Sequence, residues 1–191
     1  AGTNVPSIAA TSRQMFTLQQ GEVLNLQAVG GADLSGTQVF SPAKTPFAVY
    51  VGHEAASINN QAGPVCCADH LEEQLFPTSI WGRKFIVVRS EPRQLYDRRT
   101  DSLGATVPDR VRILAGTQAT TVSITPPSAP NNCGQLQPLQ FCDVDISDHI
   151  VISASLPVQV AHLFLSAGGR EGDPALAFVP PIDQYREEYA F

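Results

Sequence analysis

The chain has 191 residues, only 16% of them charged, and a formal net charge of −6, with an isoelectric point near 5.1. An acidic balance works against nucleic acid as a partner, because that affinity rests on neutralising phosphates with Lys and Arg. The length suits one large or two small domains with a sizeable core, and 15 Pro with 14 Gly among short apolar runs argue for many turns rather than long helices.

In chain order, runs with period-2 alternation or β-branched and aromatic content fall at residues 15–18, 23–29, 37–40 and 46–51. They continue at 84–88, 110–114, 120–125, 139–146, 149–153 and 158–165, and each predicts a strand. Gln20-Gly21-Glu22 joins the first two as a hairpin turn. Pro46 and Pro157 sit at strand starts, where a missing N–H is tolerated. Asp69-His70-Leu71-Glu72 has the spacing of a capping box and predicts a short helical turn with Asp69 as N-cap. Residues 55–64, 90–108 and 126–138 read as loops, the middle one long enough to carry function. The basic residues Arg83, Lys84, Arg89, Arg93, Arg98 and Arg99 are interrupted by Glu91, Asp97 and Asp101, the mark of a solvated hairpin. The expected class is all-β.

The chain also repeats itself. Ala1-Gly2-Thr3 returns as Ala115-Gly116-Thr117, 114 residues on, and Asp33-Leu34-Ser35-Gly36 as Asp145-Ile146-Ser147-Asp148, 112 on. Pro46 pairs with Pro157 at 111, and Asp69, Pro77, Trp81 and Phe85 map onto Asp173, Pro181, Tyr185 and Tyr189 at a constant 104. A period near the size of one sandwich predicts antiparallel β-sandwich modules in tandem duplication. The copies are residues 1–114 and 115–191, the second incomplete at its C-terminal end. The segment 85–114 has no complete counterpart, which predicts an open edge that recruits a strand from another chain or from flanking residues.

Four cysteines suggest an oxidising compartment. Cys133 and Cys142 bracket a turn-rich stretch and are expected to be bonded. Adjacent Cys66 and Cys67 form a vicinal pair, or one pairs elsewhere, or both are small buried hydrophobes. No apolar run reaches the ~20 residues of a membrane helix. With neither an initiator Met nor a signal peptide, the chain is expected to be a mature or excised piece.

Few residues suggest chemistry. His53, Asp69 and His70, with Glu73 nearby, are the candidate binding surface and the one cluster suited to a metal, to which Cys66 and Cys67 would add ligands. Their spacing matches no standard zinc pattern, and adjacent Asp and His on a strand point to opposite faces. Asp69 recurs as Asp173, but His70 is replaced by Pro174, so Asp69 is expected to serve the fold and His70 to be local elaboration. No activated-nucleophile motif or phosphate-cradling glycine loop is present. Asp148, His149 and His162 are expected to be hydrogen-bonded structural residues, and Trp81 and Tyr185 to pack the core.

From Gly21 onward the chain resembles the IgGFc-binding protein N-terminal domain family, in its bacterial form. The carrying residues are Gly21-Glu22-Val23-Leu24-Asn25-Leu26, Leu34-Ser35-Gly36-Thr37, Thr45-Pro46-Phe47-Ala48-Val49 and Gly52-His53. Cys67-Ala68-Asp69-His70-Leu71-Glu72-Glu73-Gln74-Leu75 and Trp81-Gly82-Arg83-Lys84-Phe85 follow, with Asp173, Pro180, Gln184, Tyr185 and Tyr189 in the second copy. The resemblance implies an extracellular, secreted or surface-attached module of longer proteins, without known chemistry. It also implies a Cys shortly after Gly-His, where this chain has Glu54, Ala55 and Ala56.

The expected function is therefore non-catalytic binding or adhesion within a larger extracellular protein, toward a protein or glycan, without a cofactor, nucleic acid or membrane insertion. The rivals are a structural repeat of a fibre or surface layer, and a metal-dependent hydrolase centred on His53, Asp69 and His70.

Overall fold

The computed structural model describes residues 7–58, 67–97, 100–126, 133–167 and 172–190. The chain divides into two compact units, Ala1–Leu34 and Ser35–Phe191. In the first unit the described residues contain turns but no strand. A turn forms at Gln20–Gly21, with Gly21 at φ 85° and the Glu22 N–H donating to the Gln19 carbonyl over 3.0 Å, but it joins no strands among the described residues and so is not the expected hairpin.

The second unit holds the strands. They are β1 (Tyr50–Ala56), β2 (Asp69–Gln74), β3 (Gly82–Val87), β4 (Arg93–Asp97), β5 (Ser102–Val107) and β6 (Asp109–Ala115), then β7 (Thr120–Thr125), β8 (Gly134–Leu136), β9 (Phe141–Ile146), β10 (Ile150–Phe164) and β11 (Ala175–Phe178). Three-residue 310 turns lie at Thr78–Ile80 and Ile182–Gln184. Every strand pair is antiparallel. The chain is all-β, as its alternation predicts.

One strand organises the seven-stranded sheet. The first half of β10 lies between β3 and β7, and its second half between β6 and β11. The halves meet at an irregularity between Ser153 and Val158, where Pro157 has no N–H to offer a neighbour. β8 extends the sheet beyond β7, and β9 beyond β6. Strict alternation sets the inner face. In β6, Asp109, Val111, Ile113 and Ala115 turn inward, and in β7 Thr120, Val122 and Ile124 do so. The apolar ones, Val111, Ile113, Ala115, Val122 and Ile124, pack with Phe85, Val87, Val144, Ile146, Ile150, Ile152, Val158 and Val160 into one core. The predicted copies share this sheet, since β3 and β6 precede residue 115 and pair with β10, which follows it.

Two smaller ribbons complete the unit: the β1–β2 hairpin and the β4–β5 pair. Leu71 and Ala56 anchor the hairpin, and Val107 joins Leu165 and Ala167 in a satellite cluster beneath the ribbon. Two-stranded ribbons are only marginally stable alone, so such anchors matter.

Several expectations need correction. The strands predicted at 15–18, 23–29 and 37–40 are absent, and residues 46–49 only lead into β1. Met15, Val23 and Val29 are 74%, 89% and 86% exposed. An alternating sequence becomes a strand only when a neighbouring strand takes up its N–H and C=O groups, and no strand among the described residues pairs with 15–18, 23–29 or 37–40. The predicted helical turn at Asp69 is instead the start of β2. The Asp69 carboxylate accepts its neighbour His70's N–H at 2.7 Å, while β1 supplies the ladder. The predicted loop 90–108 contains β4 and β5, and the strands predicted at 149–153 and 158–165 merge into β10. Tyr185 is 44% exposed rather than a core residue. Trp81 is half-buried, its indole N–H donating to the Phe76 carbonyl at 3.1 Å.

Cys133 and Cys142 form a disulfide across a separation of nine residues, Cα to Cα 5.8 Å. Both sulfurs pack against the main core. Replacing both cysteines by Ser is expected to lower stability by about 2–3 kcal/mol, read as a drop in the urea midpoint under non-reducing conditions. The fate of Cys66 lies outside the described residues.

Candidate functional site

The predicted binding surface lies on the β1–β2 hairpin. Partners across a ladder share a face, and His53 stands opposite Leu71 while Val51 stands opposite Glu73. His53 and Glu73 therefore share one face. His70 and Glu72 lie on the other with Gly52, which pairs with Glu72. Asp69 sits beyond a register shift, opposite Ala56. His53 Nδ1 accepts the Ala55 N–H at 3.1 Å, and His70 Nε2 contacts Glu72 Oε2 at 3.3 Å. That second pair is about 60% exposed on both sides, a setting in which an ion pair contributes little. The two histidines cannot converge on one ion from opposite faces, and no group of three potential ligands gathers among the described residues. The arrangement offers a largely exposed polar surface. Cys67 is disulfide-bonded and so offers no thiolate ligand, and its backbone carbonyl accepts the Ser166 hydroxyl at 3.0 Å.

The most organised polar group was not among the predicted site residues. Asp109 is fully buried at the start of β6. Its Oδ2 accepts the Ser90 N–H at 2.7 Å and contacts His162 Nε2 at 2.9 Å. Its Oδ1 accepts the Ser90 hydroxyl at 2.7 Å and Arg93 Nη2 at 3.3 Å. An ionised carboxylate only accepts, so His162 carries its proton on Nε2. Arg93 also donates to the Leu165 carbonyl at 2.6 Å. The cluster ties β4, β6, β10 and the β3–β4 connection together. Serine and histidine both bond to the carboxylate and not to each other, so no activated nucleophile results. His162 is structural, as expected, and so is His149, whose Nδ1 accepts the Arg89 N–H at 3.0 Å. The solvated-hairpin reading holds for exposed Arg83 and Lys84. It fails for Arg93, whose side chain is 13% exposed and salt-bridged to Asp109.

Burial alone pushes the Asp109 carboxyl pKa up. Hydrogen bonds from His162 and from the amide and hydroxyl of Ser90, with the charge of His162, outweigh it and hold the pKa at about 2 against an ordinary 3.8. A carboxylate with a depressed folded-state pKa stabilises the fold above its unfolded pKa and loses that contribution as the pH falls through the folded one. Stability should therefore decline by roughly 2–3 kcal/mol between about pH 4 and pH 2 from this residue alone. Urea titrations across that range check it, and Asp109→Asn should flatten the decline.

On the outer face, β6 and β9 carry a second set of charges in register. Arg110 binds Asp145 through two bonds of 2.7 and 3.0 Å, and Arg112 binds Asp143 through two of 2.8 Å. The bonds to Asp145 hold the Arg110 pKa above its ordinary value. Arg112 also lies 3.9 Å over the Phe141 ring. These pairs are three-quarters buried and set the β6–β9 register.

The family model described as IgGFc binding protein matches residues 1–191. The chain belongs to the IgGFc-binding protein family. A human protein named IgGFc-binding protein is 29% identical over 176 residues, covering 91% of this chain and 3% of that protein. The chain thus spans about 3% of the length of the curated relative it matches. No solved structure matches it. The IgGFc-binding family description names binding and not catalysis. Of the residues that carried the resemblance, Gly52 and His53 lie in β1, Asp69 to Gln74 form β2, and Gly82 to Phe85 open β3. No helix among the described residues is long and apolar enough to cross a membrane.

Proposed function

We propose that this chain is an extracellular, non-catalytic binding module of a larger protein, with a protein partner. The family match over its whole length supports the reading most directly. The Cys133–Cys142 disulfide fits an oxidising compartment. The polar groups that could have formed a reactive centre either point to opposite faces, as His53 and His70 do, or are saturated around Asp109. The human relative's name makes the Fc portion of IgG the first ligand to test. Immobilised Fc should retain the purified chain in a saturable manner that soluble Fc competes away. Absence of retention at high micromolar Fc would remove Fc as the ligand.

Adhesion, to a protein or a glycan, is the finer form of the same proposal. The recurrence of one hairpin and turn within the chain favours a second reading, a structural repeat of a fibre or surface layer. Solution mass separates the two: a self-assembling repeat grows with concentration, and a binding module keeps its mass.

A further inference from the structure

Two parts of the second unit have the same backbone plan at the separations set by the sequence repeat. β1 pairs with β2 as Tyr50↔Gln74, Val51↔Glu73, Gly52↔Glu72 and His53↔Leu71. The second half of β10 pairs with β11 as Ala161↔Phe178, His162↔Ala177, Leu163↔Leu176 and Phe164↔Ala175. Moving β1 by the 111 residues that separate Pro46 from Pro157, and β2 by the 104 that separate Pro77 from Pro181, turns these four pairs into the four of the second ladder; the pair beyond the register shift, Ala56↔Asp69, has no counterpart there. The closing bonds correspond too: Leu75 N–H to Val49 C=O and Val179 N–H to Val160 C=O, both 2.9 Å. The following turns are alike. Pro77 and Pro181 precede them at φ/ψ of −61°/146° and −69°/154°, and Trp81 and Tyr185 close them at −63°/152° and −64°/147°.

The two hairpins differ in what lies beyond them. The outer edge of β10 is taken by β6, with Val158↔Ala115 running to Leu163↔Arg110. The corresponding edge of β1 is residues 47–52, and among the described residues β1 pairs only with β2. Among the described residues, no strand stands to β1 as β6 stands to β10. Burial follows the difference. Val158 and Val160 are 0% exposed, while Phe47, the counterpart of Val158, is 52% exposed. Tyr50 on the alternate face is 59% exposed.

We propose that the two hairpins are copies of one unit, and that residues 47–52 receive a β-strand of another polypeptide with the sequence pattern of β6. That pattern is apolar on the inner face (Val111, Ile113, Ala115) and arginine on the outer face (Arg110, Arg112). The carbonyl of Val49 faces β2, so Ala48, Tyr50 and Gly52 turn their N–H groups to the open side. The hairpin beside it contains Glu54, Asp69, Glu72 and Glu73 and no Lys or Arg, which complements an arginine-bearing strand. A second copy of this chain is a poor donor, because its single β6 already holds both β9 and β10. Main-chain bonds supply the affinity, and the alternating side chains the register. The inference rests on the reading of the chain as a binding module and names the chemistry of one partner.

The probe is a labelled peptide of residues 108–116, added to the whole chain. Saturable binding is expected, with new hydrogen-exchange protection at Ala48, Tyr50 and Gly52. Tyr50→Pro removes an outward N–H at a strand edge, where proline is tolerated. It should weaken binding at least about tenfold while Val51, paired with Glu73, stays protected. A peptide with Asp in place of Val111 and Ile113 should lose at least about tenfold as well. No saturable binding, or protection elsewhere, overturns the proposal. So does protection of the same amides by self-association without peptide, which would make a second copy the occupant. Fc retention without peptide binding defeats the strand site alone. Peptide binding without Fc retention leaves the strand site standing and removes Fc.

Discussion

Asp109→Ala is expected to lower stability by about 3–5 kcal/mol, a large fraction of the roughly 5–15 kcal/mol that holds a domain folded. The carboxylate is fully buried and serves four donors: the Ser90 amide and hydroxyl, Arg93 and His162. Without it, the guanidinium and imidazole stay inside with no counter-charge, and the Ser90 amide has no acceptor from Asp109. Leaving such groups unpaired is what makes the loss large; the net worth of the ion pair is smaller. Asp109→Asn preserves the volume but turns a donor toward donors, so it should recover only part of the loss. Urea unfolding at neutral pH, followed by circular dichroism, gives the number. A loss below about 1 kcal/mol would mean that water reaches the site and that the clamp contributes little.

Phe85→Ala should be of similar size, about 3–5 kcal/mol. Phe85 is 1% exposed and stands opposite Ile152, between β10 and the inner face of the sheet. Truncation removes a ring from a packed core and leaves a cavity that the ladders on both sides of β10 cannot close. Its sequence counterpart provides the contrast. Tyr189 is 66% exposed and uses its hydroxyl to accept the Arg186 N–H at 2.9 Å. Tyr189→Ala should change stability by no more than about 0.5 kcal/mol. Equal losses at the two positions would mean that Tyr189 packs against more than its exposure indicates.

Strands β6, β7 and β9 were legible because alternation and a buried face coincide in them. Val111, Ile113 and Ala115 alternate with Arg110, Arg112 and Leu114, and the structure places the first set inward. The same alternation held the signal for the buried clamp. Asp109 is in phase with that inward set, and an acid there needs donors around it. Its partners could not be read locally, since Arg93 and His162 approach only through the fold. β5 was not legible because Ser102 to Thr106 are all exposed and carry no period. β2 was misread because Asp-His-Leu-Glu-Glu-Gln is polar and has helix-start spacing, while its strand character comes from β1. The opposite error arose at residues 15–18, 23–29 and 37–40, where the pattern is strand-like but no strand among the described residues pairs with it. At the candidate surface, the opposed faces of adjacent Asp69 and His70 followed from period 2 alone. The position of Glu73 beside His53 required the register.

The 15-residue β10 has neighbours on both sides along each of its halves. Its amides can reach solvent only when strands distant in the chain separate together, so they should exchange with deuterium at the rate of whole-molecule opening. The β1–β2 and β4–β5 ribbons, with two strands each, can open while the rest stays closed. The molecule therefore combines a slow-breathing centre with a fast-breathing margin, and residues 47–52 lie on the margin.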